Sequence, residues 1–384
     1  MRLRRLGLAP AAVLAASAAA AVLALPARTG HATHVVTVDV DEHARTIAAL
    51  KPPKRARPVI AIVGDNVGTE TTDYLVPYGV LRQADVADVL ALAMERGPLR
   101  LMPALTVQPN ATTAEFDARY AEGADYVVVP ALHHADDPAV RAWIRAQSAR
   151  GATIIGVCSG VQVLAHAGLL DGRAATGHWY DISGLRKDHP SMRWVRDRRY
   201  VVDRGVMTTT GITASMPASL ALVEAIAGRD RAAQVARTLG IPDWDEGHAS
   251  DAFRLDRGQV WTAARNTLAF WSHETVGVPV EDGIDEIALA LTADAYSRTY
   301  RSQAKTIAAT PRTLTTRRGL QLLPDRAGSG SRSALMLPPL PRDEPARALA
   351  AALAGIAGRY GPRTAAFVAL QLEYPWGGPP PPAR

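Results

Sequence analysis

Three short apolar runs rich in β-branched residues recur in the first half of the chain: PVIAIVGD (58–65), DYVVVPAL (125–132) and ATIIGVC (152–158). Runs this short that do not alternate with polar residues read as strands buried on both faces. A further run, LRLMPALT (99–106), reads as another strand. Between them lie a helical pattern over 77–96 (containing VLRQADVADVLALAMER), a loop or short helix at 114–123, and DPAVRAWIRAQSARG (137–151). The last has Asp137 placed as N-cap, Pro138 in the first turn and Gly151 at the end, which marks a helix. Strands that alternate with helices specify a parallel sheet covered on both faces. The segments ATGHW, YVVDRGVMTTTG and SMPASLALVEAIAGRDRAAQVARTLG add short strands and a closing helix, completing one domain over 58–240.

The remainder, 241–375, echoes that pattern. SALMLPPLPRDEPARALAAALAGIAGRYGPRTA (333–365) runs strand, proline, acidic residue, proline, helix, as 125–154 does. GVPVEDGIDEIALALTADAYS (277–297) echoes the first strand and helix, and TRRGLQLLPD (316–325) echoes LRLMPALTVQPN. These echoes predict a degenerate second α/β copy. It stops without a cysteine turn, and 376–384 is a proline-rich, disordered tail.

Arg2, Arg4 and Arg5 precede a stretch without charge from Leu6 to Ala27. A basic start followed by an apolar run and small residues is the pattern of a secretory signal. Cleavage would fall after Ala27 or Ala32. Uncut, the run reaches the ~20 residues needed to span a bilayer as an anchor. Residues 1–32 therefore predict export or membrane anchoring, and 33–57, ending in KPPKRARP, reads as a linker. The net charge of +6 is mild and no basic stripe is interleaved with aromatics, so a nucleic-acid partner is not expected.

The chain has one cysteine, which excludes an internal disulfide. Cys158 lies in GVCSG, between Gly156 and Gly160, at the end of an apolar run and before a helical one. Strand, Gly-x-Cys-x-Gly and helix make a nucleophile elbow, where small residues let the two backbones cross closely. The helix start beside the sulfur would favour thiolate, the nucleophilic form. A buried structural cysteine in a glycine-containing turn is the plain alternative.

The segments GVCSGVQVLAHAGLLDGRAATGHW and HPSMRWVRDRRYVVDRGVMTTTGITASMPASLALVEAIAG resemble the ThiJ/PfpI family of class I glutamine-amidotransferase-like proteins, over about 58–230. The variant is most similar to isonitrile-hydratase-like members and to the sensor domains of certain AraC-type regulators. The resemblance implies a flavodoxin-like three-layer α/β sandwich, often dimeric. It implies an acid near the cysteine: in TTDYLVPYGVL, Asp73 followed by Pro77 carries the match, and Glu70 is the alternative. It implies oxyanion donors at the backbone N–H of Ser159 and after the third strand, where Ala131 and Leu132 stand in place of the usual glycines. His178 of TGHW matches a family histidine that lines the pocket. His133 and His134 read as exposed loop residues, and Trp179 as core. No phosphate loop or zinc spacing is present, so no cofactor or metal is expected.

The expectation is an exported enzyme in which Cys158 attacks a small electrophile and Asp73 supplies a proton. The alternative is a small-molecule sensing or binding domain of the same fold, working as a homodimer or as an internal pseudo-dimer.

Overall fold

The computed structural model describes Leu25, residues 36–328 and residues 335–378. The expected signal or anchor, Leu25 apart, and residues 379–384 of the tail lie outside the described residues. Among the described residues no helix is long and apolar enough to cross a membrane.

The centre is a seven-stranded sheet in the order Tyr200–Asp203, Val206–Thr209, Thr153–Gly156, Tyr126–Val129, Val59–Gly64, Asp88–Ala93, Ala111–Thr112. Every pairing is parallel except the hairpin at the Tyr200–Asp203 edge. Successive strand residues point to opposite faces, and the first strand shows the consequence. Ile60 and Ile62 join one apolar cluster, and Val59, Ala61 and Val63 join another. The second cluster lies against the helices Pro138–Ala149 and Gly160–His166. The first lies against Thr71–Ala84 and Ser215–Ala227 and continues into the second α/β region. The fold is the expected flavodoxin-like three-layer sandwich.

Two elements differ from the sequence expectation. The 77–96 stretch is not one helix. Helix Thr71–Ala84 stops at Asp85, whose φ of 49° is left-handed, and Asp88–Ala93 forms a parallel strand beside Val59–Gly64. LRLMPALT is not a central strand. Proline cannot donate in a ladder, and Pro103 splits the run into Leu99–Met102 and Thr106–Gln108, two strands of a separate five-stranded sheet. The expected linker also carries structure. Helix Val40–Ala49 is capped by Asp39, and the following Leu50 is buried, its carbonyl accepting a bond from the Tyr126 hydroxyl at 2.7 Å.

The second α/β region has a four-stranded parallel sheet in the order Arg326–Ala327, Ser302–Ala308, Glu274–Val280, Leu335–Met336. This is the order of Ala111–Thr112, Asp88–Ala93, Val59–Gly64 and Tyr126–Val129 in the central sheet. Helix Glu286–Ser297 takes the position that Thr71–Ala84 takes after its own first strand. The two helices pack on each other. A Cβ on Gly79 would fall 2.5 Å from Ile287 Cγ1, so glycine is what admits that contact. Strand Gln321–Leu322 pairs antiparallel with Thr106–Gln108, tying the five-stranded sheet across both regions.

A candidate cysteine site

Strand Thr153–Gly156 runs through Val157 into Cys158, and helix Gly160–His166 begins two residues later. Cys158 has φ 55°, a left-handed conformation that non-glycine residues rarely adopt. Its N–H donates to Thr209 Oγ1 at 3.2 Å. A Cβ on Gly160 would lie 2.1 Å from the Val129 carbonyl oxygen and 2.8 Å from that of Pro130. The elbow geometry expected from the sequence is present, and Gly160 is the residue that permits it.

The thiol's environment differs from the expectation. Cys158 is 6% exposed. Burial pushes its thiol well up, and the neighbouring carboxyl groups of Asp73 and Glu70 push the same way. The dipole of a seven-residue helix does not offset this, so the sulfur rests as a neutral thiol and not as the expected thiolate.

Both candidate acids sit where the Val67–Glu70 strand turns into the Thr71–Ala84 helix. Glu70 is the N-cap: its Oε2 accepts the Asp73 N–H at 2.6 Å and the Thr72 hydroxyl at 2.8 Å. Asp73 is fully buried. Its Oδ2 accepts the Ala131 N–H at 3.0 Å, while Oδ1 is buried without a hydrogen bond. Burial, then the neighbouring Glu70, hold the Asp73 carboxyl well above its usual range, which favours its protonated form.

The remaining expected residues divide. The Ala131 N–H is spent on Asp73, and the Ala131 carbonyl accepts the Glu70 N–H at 2.9 Å, so Ala131 does not serve as an oxyanion donor here. Leu132 is buried beside it, bridged to Thr69. Ser159 donates its hydroxyl to Asp181, a partner that the sequence reading missed although it lies only three residues past His178. His178 is buried. Its Nε2 meets the Gln371 carbonyl at 3.1 Å and Nδ1 meets the Tyr180 N–H at 3.4 Å. Burial pushes it down to about 4, so it stays neutral with both nitrogens engaged. His133 and His134 are exposed, their rings edge-on at 4.8 Å. Among the described residues no three His, Cys, Asp or Glu are grouped to hold a metal ion.

Sequence reasoning also missed what the second α/β region brings. Arg298, just past helix Glu286–Ser297, donates to Glu70 Oε1 at 2.8 Å and to Asp294 at 2.8 Å. Asp294 is fully buried, which raises its carboxyl to about 7. The segment after helix Pro362–Gln371 closes over the opposite side. Glu373 accepts the N–H groups of Trp179, at 2.7 Å, and of Gly211. The Trp179 indole N–H donates to the Leu370 carbonyl at 3.0 Å, leaving Trp179 half-buried. Two cavities, of 580 Å³ beside Pro279–Asp285 and 280 Å³ beside Arg186 and Trp194, lie elsewhere, lined by neither Cys158 nor Asp73.

Burial raises Glu373 from its usual 4.5 to about 7, against the pull of its two N–H donors. A raised pKa stabilises the closed segment fully below the unfolded value, and that contribution is lost as pH rises through the folded one. Amide exchange at Trp179 and Gly211 is therefore expected to gain protection on going from pH 8 to pH 6, after correction for intrinsic rates. Glu373→Gln is expected to remove that dependence.

Residues 59–225 match the DJ-1/PfpI family model. Over this span the chain is similar to the DJ-1/PfpI family. Similar curated proteins include the HTH-type transcriptional regulator CdhR of Pseudomonas aeruginosa, 38% identical over 98 residues, which are 26% of this chain and 29% of the regulator. The isonitrile hydratase of Pseudomonas putida is 36% identical over 115 residues, 29% of this chain and 48% of the hydratase. The match thus spans under a third of that regulator and about half of the hydratase. Among solved structures, Drosophila melanogaster DJ-1beta aligns with 21% identity and a TM-score of 0.44, over 48% of this chain and 98% of its own. The matched span holds Cys158, Asp73 and Glu70; Arg298 and Glu373 come from beyond it.

Proposed function

We propose that the chain hydrates a small, uncharged electrophile, with Cys158 as nucleophile and Asp73 as proton donor, and that it works outside the cytoplasm. The observation that carries this is an elbow cysteine with a buried carboxyl in its electrostatic neighbourhood, one oxygen of which has no hydrogen-bond partner. Burial favours the neutral form of both groups, which suits an uncharged substrate. An isonitrile is the model substrate, by analogy with the hydratase relative.

The chemistry balances without a cofactor. Asp73 gives its proton to the terminal carbon as the sulfur bonds to that carbon, and the thiol proton returns to the Asp73 carboxyl. Water then adds to the same carbon, a proton passes to nitrogen, and the S–C bond breaks to release an N-substituted formamide and the thiol. General acid help of this kind is worth about 10²–10⁴-fold. The second α/β region, with its matching strand order, serves as a built-in partner: a degenerate copy making an internal pseudo-dimer, divided from the first near residue 240.

One observation favours a second use of the same site, as a ligand sensor. Gln371 and Glu373 hold the loops around Cys158 closed, and the Ala131 N–H is already engaged. Regulators are among the relatives.

The test is formamide release from a panel of small alkyl and aryl isonitriles. The hydratase proposal expects turnover by the native chain, none by Cys158→Ala, and a loss of about 10²-fold or more in Asp73→Asn. Equal turnover by Cys158→Ala would overturn it. Tight binding without turnover would support the sensor.

A further inference from the structure

The helix Arg257–Leu268 has its polarity reversed. Its buried residues are Thr262 and Asn266, and Asn266 is held by bonds to the Thr299 carbonyl at 2.9 Å and to Thr364 Oγ1 at 3.2 Å. Its outward side carries Trp261 and Leu268, seven residues apart and so on one face. The turn that follows adds Phe270 and Trp271. These four side chains are 67% to 76% exposed. A helix normally buries its large apolar residues and turns its amides to water, so this surface is built to be covered.

Charge and chain path say by what. From Arg257 to His273 there is no Asp or Glu, and the exposed Arg265 lies between Trp261 and Leu268. Arg257, at the first turn of the same helix, donates through Nε to the Leu25 carbonyl at 2.5 Å. Leu25 belongs to the uncharged stretch Leu6–Ala27, and it lies beside this surface. An apolar stretch of ~20 residues is bilayer-compatible. Exposed tryptophans on a helix and turn that carry arginines and no acidic residue from Arg257 to His273 suit the headgroup level of an anionic leaflet.

We infer that the face formed by Trp261, Leu268, Phe270 and Trp271 rests on a lipid bilayer containing anionic headgroups. Phospholipid, and not a protein, is the partner.

The full chain tests this, because its single native cysteine is buried. Ala264→Cys, on the exposed face, and Ala351→Cys, exposed on a helix of the second region, are each labelled with a fluorophore. Each is mixed with vesicles of phosphatidylcholine and phosphatidylglycerol that carry a nitroxide-bearing lipid. The inference expects the label at 264 to lose most of its emission and the label at 351 to keep it. It expects Trp261→Ser/Trp271→Ser to restore emission at 264 with an unchanged thermal midpoint. Equal behaviour of the two labels would overturn it. A label at 264 shielded without vesicles would overturn it too. Shielding that grows with protein concentration would assign the face to a second copy, and concentration-independent shielding would assign it to residues 6–24.

Discussion

Arg298→Leu is expected to lower the thermal midpoint by roughly 5–10 °C, corresponding to about 3 kcal/mol. The guanidinium is the cation bridging Glu70 and Asp294, whose side chains are 5% and 0% exposed. Removing one partner of a buried pair leaves uncompensated charge and costs more than the pair itself contributes. The direction with pH is fixed by Asp294. Its carboxyl already stands near 7 through burial, and Arg298 holds it down from a higher value. Without the arginine it rises further. A group whose folded pKa is raised contributes stability that is lost as pH climbs through that pKa. The gap between native and variant midpoints should therefore be small near pH 5 and widen toward pH 8. A gap that is constant with pH would mean that Arg298 acts only through packing.

Gly160→Ala is expected to have an effect of similar size for a different reason. The new methyl would meet two backbone carbonyl oxygens, at 2.1 and 2.8 Å, and backbone cannot rotate away as a side chain can. Overpacking of this kind costs about 3 kcal/mol. The strand end that would have to move, at Val129 and Pro130, leads directly into the Ala131 N–H that holds Asp73. Loss of soluble folded protein, or a midpoint lowered by roughly 5–10 °C, is expected. Gly156→Ala is the comparison. Its nearest neighbour is the tip of Leu164 at 3.0 Å, which can yield, so its cost should be about 1 kcal/mol. Equal losses at the two glycines would contradict the crossing geometry.

These two residues also mark where local sequence carries information and where it does not. Gly160 and Cys158 were legible because an elbow is a contiguous pattern of strand, small residues and helix. Asp73 and Glu70 were implied by the family resemblance, and the structure places Glu70 as helix cap and ion-pair partner and Asp73 as a buried carboxyl. The helix capped by Asp137 matched as well, since a cap is a short-range device. The strand Asp88–Ala93 was hidden because DVLALA continues the helical apolar pattern before it, and only the left-handed Asp85 separates the two. Arg298 and Glu373 left no local signal. They reach the site from 228 and 162 residues away from Glu70 and Gly211, brought there by the packing of two whole helices. The helix dipole predicted a thiolate, but no local pattern states how deeply the sulfur is buried.

Burial holds Cys158 as a neutral thiol in the neighbourhood of the buried Asp73 carboxyl. The direct measurement is the rate of iodoacetamide labelling of the folded chain from pH 6 to pH 10, followed by intact mass, against a free-cysteine peptide (pKa ≈ 8.5). The account predicts labelling slower than the peptide at pH 7 to 8.5 and an apparent thiol pKa above that of the peptide. Fast labelling at neutral pH with an apparent pKa below 8.5 would contradict it.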